Sequence, residues 1–513
     1  MFRRPRGGEV KRPQSPPMCS SIWSKSSREF SYPLRGQVGP KNSSFIYGNV
    51  KEIEDDPLVT RKWRDEIGPT FLFKGVFNTR QLYTADPIAI DHMLKADSIY
   101  QKGITKHDIL FRLGGPGLLG VEGEDHKRQR RVMNPAFGTA QIRGLTGIFV
   151  DKSVELRDIW VNMIRGHTAP QHIDVYSWLS KMTLDVIAQS GFGTPFKTLN
   201  PKARPNPVYQ ALERLFRAPN GGRESLFHRI VQSFPILLYL PVPARKHIED
   251  TRRQLFVAGS KLLADSKAAI NAAGGPKSAS GGRDLFSLLL RANMSPDIPD
   301  HHRMSEAEVI AQIPTFFIAG HATTSAAIAF ALHALSMNKP GLPYLESVIR
   351  ETLRLYAPVS HVPRLAIADD VLPLRTPCVD RNGKVHTSLP VPRGQRVRIA
   401  ISDLNTDTSL WGPDAGEFRP ERWEKIPEAL HQIPGVWGNM LTFLAGPHNC
   451  IGFRFSLAEQ KVLLFVLIRA FEFDGAVPSD DIGRRSTPLQ VPFVHSARQK
   501  GSQLPLLVRA YEG

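Results

Sequence analysis

Near the end of this 513-residue chain stands the segment Phe443-Leu-Ala-Gly446-Pro-His448-Asn-Cys450-Ile-Gly452, followed at once by the apolar-rich run from Phe453 to Ile468. The run is long enough to predict a buried helix. The glycines permit a tight turn and the close approach of a flat ligand where a side chain would collide. A helix N-terminus offers unpaired N–H groups and the positive end of the macrodipole, which favour a thiolate over a thiol. Those are the needs of a cysteine that serves as an anionic axial ligand to haem iron. An isolated cysteine is more often a buried structural residue. Phenylalanine, two glycines and the helix that follows, all in register, favour the ligand.

The segment resembles the signature of the cytochrome P-450 superfamily, the haem-thiolate monooxygenases. That signature reads Phe-x-x-Gly-x-Arg-x-Cys-x-Gly and is matched at Phe443, Gly446, Cys450 and Gly452, with His448 in the arginine position. In the family that arginine reaches a haem propionate. The resemblance therefore implies that His448 takes this role, with a weaker contact because histidine is only partly cationic near neutral pH.

Other parts of the family pattern follow in order. Glu351-Thr-Leu-Arg354 matches the Glu-x-x-Arg motif, and Phe418-Arg-Pro420-Glu-Arg422-Trp423 matches the Pro-x-Arg-Trp element. On a helix Glu351 and Arg354 share one face and can pair. Arg422 can engage the same carboxylate, completing a structural triad suited to holding the cysteine loop. Taken alone, a Glu-x-x-Arg is a solvated helical pair; its place ahead of the other two segments favours the triad.

Ala319-Gly320-His321-Ala322-Thr323-Thr324-Ser325 resembles the oxygen-binding segment of the family's long central helix. Ser305-Glu-Ala-Glu308 reads as a capping box at its start, and the helical pattern runs to about Met337. Gln312, Pro314, His321 and the threonine pair interrupt the apolar run, which argues against a membrane span. Gly320 weakens the helix beside Thr323, and the resemblance implies that Thr323 relays protons over the iron.

Further upstream, His126 and Arg130 lie four apart, on one helix face, ahead of Asn134-Pro-Ala-Phe137. A basic run is ordinarily a solvated surface; its similarity to fungal members of the family implies that His126 and Arg130 bind the haem propionates. Arg364 falls where the family places a further propionate arginine.

Two departures stand out. The family carries an acid immediately before the threonine, and this chain has Ala322; His321, a neighbour on the helix, is expected to point elsewhere. Only 28 positions separate Thr323 from Glu351, joined through Met337-Asn-Lys-Pro-Gly-Leu-Pro-Tyr344. An amphipathic helix that the family places in this gap is expected to be missing.

Composition is consistent with this reading. Cys19, Cys378 and Cys450 stand at unrelated positions, which argues against a disulfide framework and fits a reducing compartment. Strands are expected near 70–83 and 371–400, with Asn382-Gly383 marking a hairpin turn, and helices over most of the rest. Residues 268–282 have linker composition. Residues 1–40 read as a basic, Ser/Pro-rich tail; its first 35 residues hold eight Lys/Arg against Glu9 and Glu29, six of the chain's net charge of +18. No membrane anchor of the kind carried by the family's endoplasmic-reticulum members is expected in this tail. Neither a zinc ligand set nor a nucleic-acid module accompanies the remaining positive charge, so no nucleic-acid partner is expected. A basic surface suits an acidic electron donor.

The reading that results is a mainly α fold with a minor β region, residues 41–513 forming one haem-thiolate domain. The resemblance implies haem b, an NADPH-dependent flavoprotein reductase, and monooxygenation of an organic, lipophilic substrate by dioxygen. A reductase-independent isomerase or peroxide-using enzyme, and a catalytically silent haem protein, are the alternatives. Pocket walls are expected near 100–118, 205–240, 316–319 and 359–362.

Overall fold

The computed structural model describes residues 32–103, 115–200, 202, 243–276, 282–338, 345–486 and 489–511. In chain order the longer helices are α1 (Val59–Ile67), α2 (Pro87–Lys95), α3 (Gly123–Met133), α4 (Thr139–Ile164), α5 (Val175–Phe192), α6 (Pro243–Ala272), α7 (Leu285–Met294), α8 (Glu306–Gly320), α9 (Ala322–Met337), α10 (Leu345–Leu355) and α11 (Phe453–Ala470). The strands are β1 (Thr70–Lys74), β2 (Arg80–Thr84), β3 (Tyr100–Gln101), β4 (Gln171–Asp174), β5 (His361–Ala366), β6 (Asp370–Val379), β7 (Val385–Val391), β8 (Arg396–Ala400), β9 (Phe471–Gly475), β10 (Ile482–Ser486), β11 (Gln490–Val494) and β12 (Pro505–Ala510). The fold is mainly helical with a minor sheet component, as expected.

Four helices form the centre. α4 packs against α5 and α11, and α9 packs against α5 and α11. Phe149 of α4 meets Phe455 of α11 edge to face, ring centroids 5.0 Å apart, and Thr324 of α9 shares a 3.0 Å hydrogen bond with Ser456 of α11. One hydrophobic cluster continues from Leu34 to Val508. The stretch Asp300–Met337 is apolar and long enough to cross a membrane, but 78% of its most apolar window is buried inside the fold. It is the core helix.

Beside this bundle lies a five-stranded sheet in the order β1-β2-β8-β5-β3, in which only β2 and β8 run parallel. The expected turn at Asn382-Gly383 is found between β6 and β7. The Asp380 carboxylate accepts the backbone N–H groups of Asn382 and Lys384, and Gly383 alone of the two turn residues takes a left-handed conformation, φ 80°. Sequence reasoning missed the small sheet β4-β12-β9 and the β10-β11 hairpin. It also assigned linker character to residues that extend α6: the helix continues through Ala272, and Gly275, φ 93°, ends it by donating to the Ile270 carbonyl at 2.9 Å.

α9 and α10 pack directly on one another, with only residues 338–344 between them; positions 339–344 lie outside the described residues. Met337 at the end of α9 and Phe465 on α11 are each more than half exposed. Lys461 of α11 pairs with Glu346 of α10, so a polar contact joins two helices at this edge.

The start of α8 carries the expected capping box: Ser305 Oγ accepts from the Glu308 N–H, and Glu308 Oε2 accepts from the Ser305 N–H at 2.8 Å. Arg128 of α3 adds two bonds to the same carboxylate, at 2.5 and 3.1 Å. Burial alone would raise the Glu308 pKa, but Arg128, Ser305 and Gln129 overcome it and hold it down at about 2, against 4.5 ordinarily. A depressed carboxylate stabilises the fold fully above its unfolded pKa, and that contribution is lost as pH falls through the folded value. Glu308→Gln should therefore lower the thermal midpoint most above about pH 5, with the difference shrinking toward pH 2; differential scanning across that range checks it.

Candidate active site

Glu351 on α10 is fully buried. Its Oε1 accepts from Arg354 Nη2 at 2.7 Å, Arg422 Nε at 2.8 Å and the Arg419 backbone N–H at 2.9 Å. Its Oε2 accepts from Arg354 Nε at 2.9 Å and Trp423 Nε1 at 3.1 Å. Arg354 spends its remaining N–H groups on the carbonyls of Asn405, Ala415 and Glu417. Asn405 carries the restraint onward, accepting from the Leu441 N–H and donating to Thr442 Oγ1, both at 2.8 Å. The three residues expected to form a triad are thus brought together, and their network ends where the chain enters the cysteine loop.

The loop itself is closed by the Cys450 N–H, which donates to the Phe443 carbonyl at 2.9 Å. Gly446 has φ 67°, and a Cβ there would fall 2.4 Å from the Leu94 carbonyl oxygen; only glycine fits. The Phe443 ring is buried between Trp437 and Phe453. Gly452 caps α11, and its N–H is directed at the Cys450 sulfur. Cys450 is solvent-accessible, yet enough protein lies around its sulfur to disfavour a charge there. Burial pushes the free thiol up, against the opposing pull of the Gly452 N–H and Arg130. The expectation that the helix terminus alone would favour the thiolate needs this correction: desolvation wins, and metal coordination is what deprotonates such a thiol outright.

A cluster of basic side chains lies beside the loop. Arg130 donates to the Asn449 carbonyl at 2.6 Å and to Asn449 Oδ1 at 2.5 Å, tying α3 to the residue next to Cys450. The buried rings of His126 and His448 stack, centroids 3.8 Å apart and planes 31° from parallel. Burial and the charges of Lys102 and Arg130 lower the His126 pKa to about 4. Burial, His126, Lys102, Arg364 and Arg130 lower that of His448 to about 2. At His448, where partial charge was expected, burial and the neighbouring cations favour the neutral ring, as they do at His126. Arg364 on β5 is buried and within electrostatic reach of His448.

Two members of this cluster escaped the sequence reading. Lys102 donates to the carbonyls of Leu118, Leu119 and Val121, each at 3.1 Å, and burial brings its pKa down to about 8. Glu122 stands 3.2 Å from His448. Its spacing of four before His126 could have revealed it, whereas Lys102 sits in no recognisable pattern.

On the opposite side, the central helix is interrupted for one residue at His321, between α8 and α9. A Cβ on Gly320 would stand 3.0 Å from the Ile187 side chain, so glycine lets α8 approach α5 closely. Thr323 Oγ1 donates to the Ala319 carbonyl at 2.7 Å. Ala319 is exposed on a helix that is mostly buried, so this carbonyl–hydroxyl pair borders open space. His321 is buried with Nδ1 2.7 Å from the Phe317 carbonyl, and its own carbonyl accepts from Thr183 of α5; it points away from Thr323, as expected. Of the stretch 316–319 expected at the pocket wall, Ala319 is exposed, whereas Phe316 and Phe317 are not. Both are buried in an aromatic cluster with Phe137, Phe192 and Phe196. Tyr100 is likewise buried, bonded to Asp370 at 2.8 Å. Residues 205–240 lie outside those described.

The residues present fit a flat, dianionic macrocycle. Lys102, Arg130 and Arg364 supply an excess of positive charge over Glu122, and the buried atoms His126 Nδ1, His448 Nδ1 and Glu122 Oε2 have no hydrogen-bond partner among protein atoms. Such orphaned atoms are rare unless a ligand or water completes them.

Comparison with known proteins agrees. A sequence model of the family described as Cytochrome P450 matches residues 38–340 and 338–491. Cytochrome P450 monooxygenases 128 and 205 of Postia placenta are 43% and 44% identical, over 94% and 93% of both chains. Cytochrome P450 monooxygenase claP of Ampulloclitocybe clavipes is 32% identical over 94% of this chain and 93% of its own. The two family matches meet at 338–340, at the short join between α9 and α10. The alignment with monooxygenase 128 runs over 514 positions while covering 94% of this chain, so that relative carries residues this chain lacks.

The Glu351 network predicts a large effect of a small change. Glu351→Gln leaves Arg354 buried without a counter-charge and should cost about 3–5 kcal/mol; chemical denaturation of the two proteins side by side measures it.

Proposed function

Because this chain belongs to the cytochrome P450 family of haem-thiolate monooxygenases, we propose that it inserts one atom of dioxygen into a lipophilic organic substrate. Electrons come from NADPH through a flavoprotein reductase whose acidic face meets the basic surface of this chain. The observation that carries the reading is Cys450, solvent-accessible at the foot of α11 and beside a cluster of cations. We assign one haem-thiolate unit to residues 41–513.

Haem b, which Cys450 would hold, would supply the iron chemistry that activates dioxygen. Cys450 contributes the anionic sulfur, and the Gly452 N–H steadies its charge. His126, Arg130, Arg364 and His448 would seat the propionates, while Phe443, Gly446 and Gly452 keep the loop in shape. Glu351, Arg354 and Arg422 hold that loop against the bundle.

Thr323 is the proton-handling group on the distal side, with Gly320 allowing the helix to open beside it. The Thr323 hydroxyl donates to the Ala319 carbonyl and keeps lone pairs for water; turning its O–H off that carbonyl, which takes no proton, would let it pass its proton on while it draws one from the water. Ala322 offers no acid to reload it, and His321 is turned toward Phe317. Delivery then rests on Thr323 and water. Ala322 in place of an acid favours a second reading, a peroxide-using haem enzyme, because peroxide arrives with its protons.

Cys450→Ser should abolish the red-shifted Soret band of the reduced carbon monoxide complex; a mutant that keeps the band removes Cys450 from the role. With reductase and NADPH, Ala322→Glu should raise the product formed per peroxide released, by about a hundredfold if an acid contributes at the lower end of what general acid–base groups ordinarily supply. An unchanged ratio, together with brisk turnover on added peroxide, would favour the second reading.

A further inference from the structure

Two glutamines outside every motif used so far, Gln129 on α3 and Gln312 on α8, are fully buried. Gln312 Nε2 donates to Gln129 Oε1 at 3.0 Å. Together they hold the segment Pro116-Gly117-Leu118: Gln129 Nε2 donates to the Pro116 carbonyl at 2.8 Å, and Gln312 Oε1 accepts the Leu118 N–H at 3.0 Å. Their remaining amide hydrogens go to Glu308, to its Oε1 from Gln129 at 3.2 Å and to its carbonyl from Gln312 at 3.0 Å. Each amide thus uses both hydrogens and its oxygen, and the backbone partners leave each only one way round. From the other side, Lys102 Nζ donates to the Leu118 carbonyl at 3.1 Å.

Gly117, between the two held residues, lies directly on α8. A Cβ there would fall 2.5 Å from the Ala311 carbonyl oxygen and 2.6 Å from Thr315 Oγ1. Ala311, Thr315, Ala319 and Thr323 follow at intervals of four, a single ridge along the central helix. Ala311 and Thr315, against which the segment rests, are buried, whereas Ala319, one turn on, is exposed. The ridge is covered as far as Thr315 and open from Ala319 toward Thr323.

We propose that Gln129 and Gln312 are positioning residues that set the length of the substrate space: they hold residues 116–118 down on α8, so that the space beside Thr323 ends at Thr315. This rests on the haem-thiolate reading above. The wall they make suits an apolar group. The amide hydrogens of both glutamines and the Leu118 N–H are already donated, and Thr315 Oγ1 donates to the Ala311 carbonyl at 3.0 Å, so none of these groups has a hydrogen left for a polar one. A hydrocarbon tail lying along α8 is accepted to a set length, about two helical turns or roughly 11 Å from the level of Thr323.

The test titrates the ferric holoprotein with N-alkylimidazoles of increasing chain length, whose ring nitrogen binds the iron while the chain explores the space beside it. The Soret shift gives a Kd for each. Gln312→Leu leaves the Leu118 N–H and Gln129 Oε1 without partners, which favours their return to water. Gly117→Ala lifts the same segment by contact with Ala311 and leaves both glutamines in place. In the wild type, affinity should rise about fourfold for each methylene buried, then fall once the chain meets the wall. In both variants the fall should move to longer chains, with N-methylimidazole bound as in the wild type. General destabilisation would not spare the short ligand and favour the long ones. A wild-type profile with no fall, or an unchanged profile in whichever variant still binds N-methylimidazole, would overturn this inference alone. A wild-type protein lacking the thiolate carbon monoxide band would overturn the haem-thiolate reading, and this inference with it.

Discussion

A single carboxylate, Glu351, receives N–H groups from Arg354, Arg422, Trp423 and the backbone of Arg419. Taking such a group out of water is costly, and a buried ion pair is a poor source of net stability. Its value here is registry. The donors come from α10 and from the distant 419–423 segment, and Arg354 extends the network to the carbonyls of residues 405, 415 and 417. Because each member loses its partner if one segment shifts, the segments move together or not at all. The cysteine loop inherits that rigidity through Asn405 and Thr442, whose hydroxyl returns to the Leu353 carbonyl on α10.

The loop must hold a thiol where burial disfavours its charge. The protein answers with geometry. Gly446 packs against the Leu94 carbonyl, Arg130 grips Asn449, and the Thr324–Ser456 bond fixes α9 against α11. Thr324 and Thr323 are neighbours on one helix and face different ways, so the bond that anchors one leaves the other toward the open space beside Ala319. The helix interruption at His321 follows from the same crowding, since α8 can approach Ile187 of α5 only through a glycine. Structural and chemical duties are divided between adjacent residues.

The departures from the family pattern have different consequences. At position 448 a histidine stacked on His126 and facing Glu122 replaces an isolated cation with a coupled group. At position 322 nothing replaces the acid among its immediate neighbours. α10 packs directly onto α9, and the Lys461–Glu346 pair links α10 to α11.

Much of this was legible in the sequence because it is local. The capping box at Ser305 and Glu308, the helix after Gly452, the turn at Gly383 and the spacing of Glu351 from Arg354 depend on near neighbours. Short-range geometry dictates them, and motif order then placed the residues on one ligand. What escaped depends on where distant segments meet. Lys102 and Glu122 enter the cationic cluster through a loop with no motif, and β4 pairs with β12 across more than 300 residues of chain. Phe316 and Phe317 were placed at the pocket wall by sequence order, whereas packing against Phe192 and Phe196 turned them inward. The protonation of Cys450, His126 and His448 was the furthest from reach. A sequence names the ionisable group, but the balance of desolvation, neighbouring charge and hydrogen bonds that sets its charge exists only once the tertiary structure has closed around it.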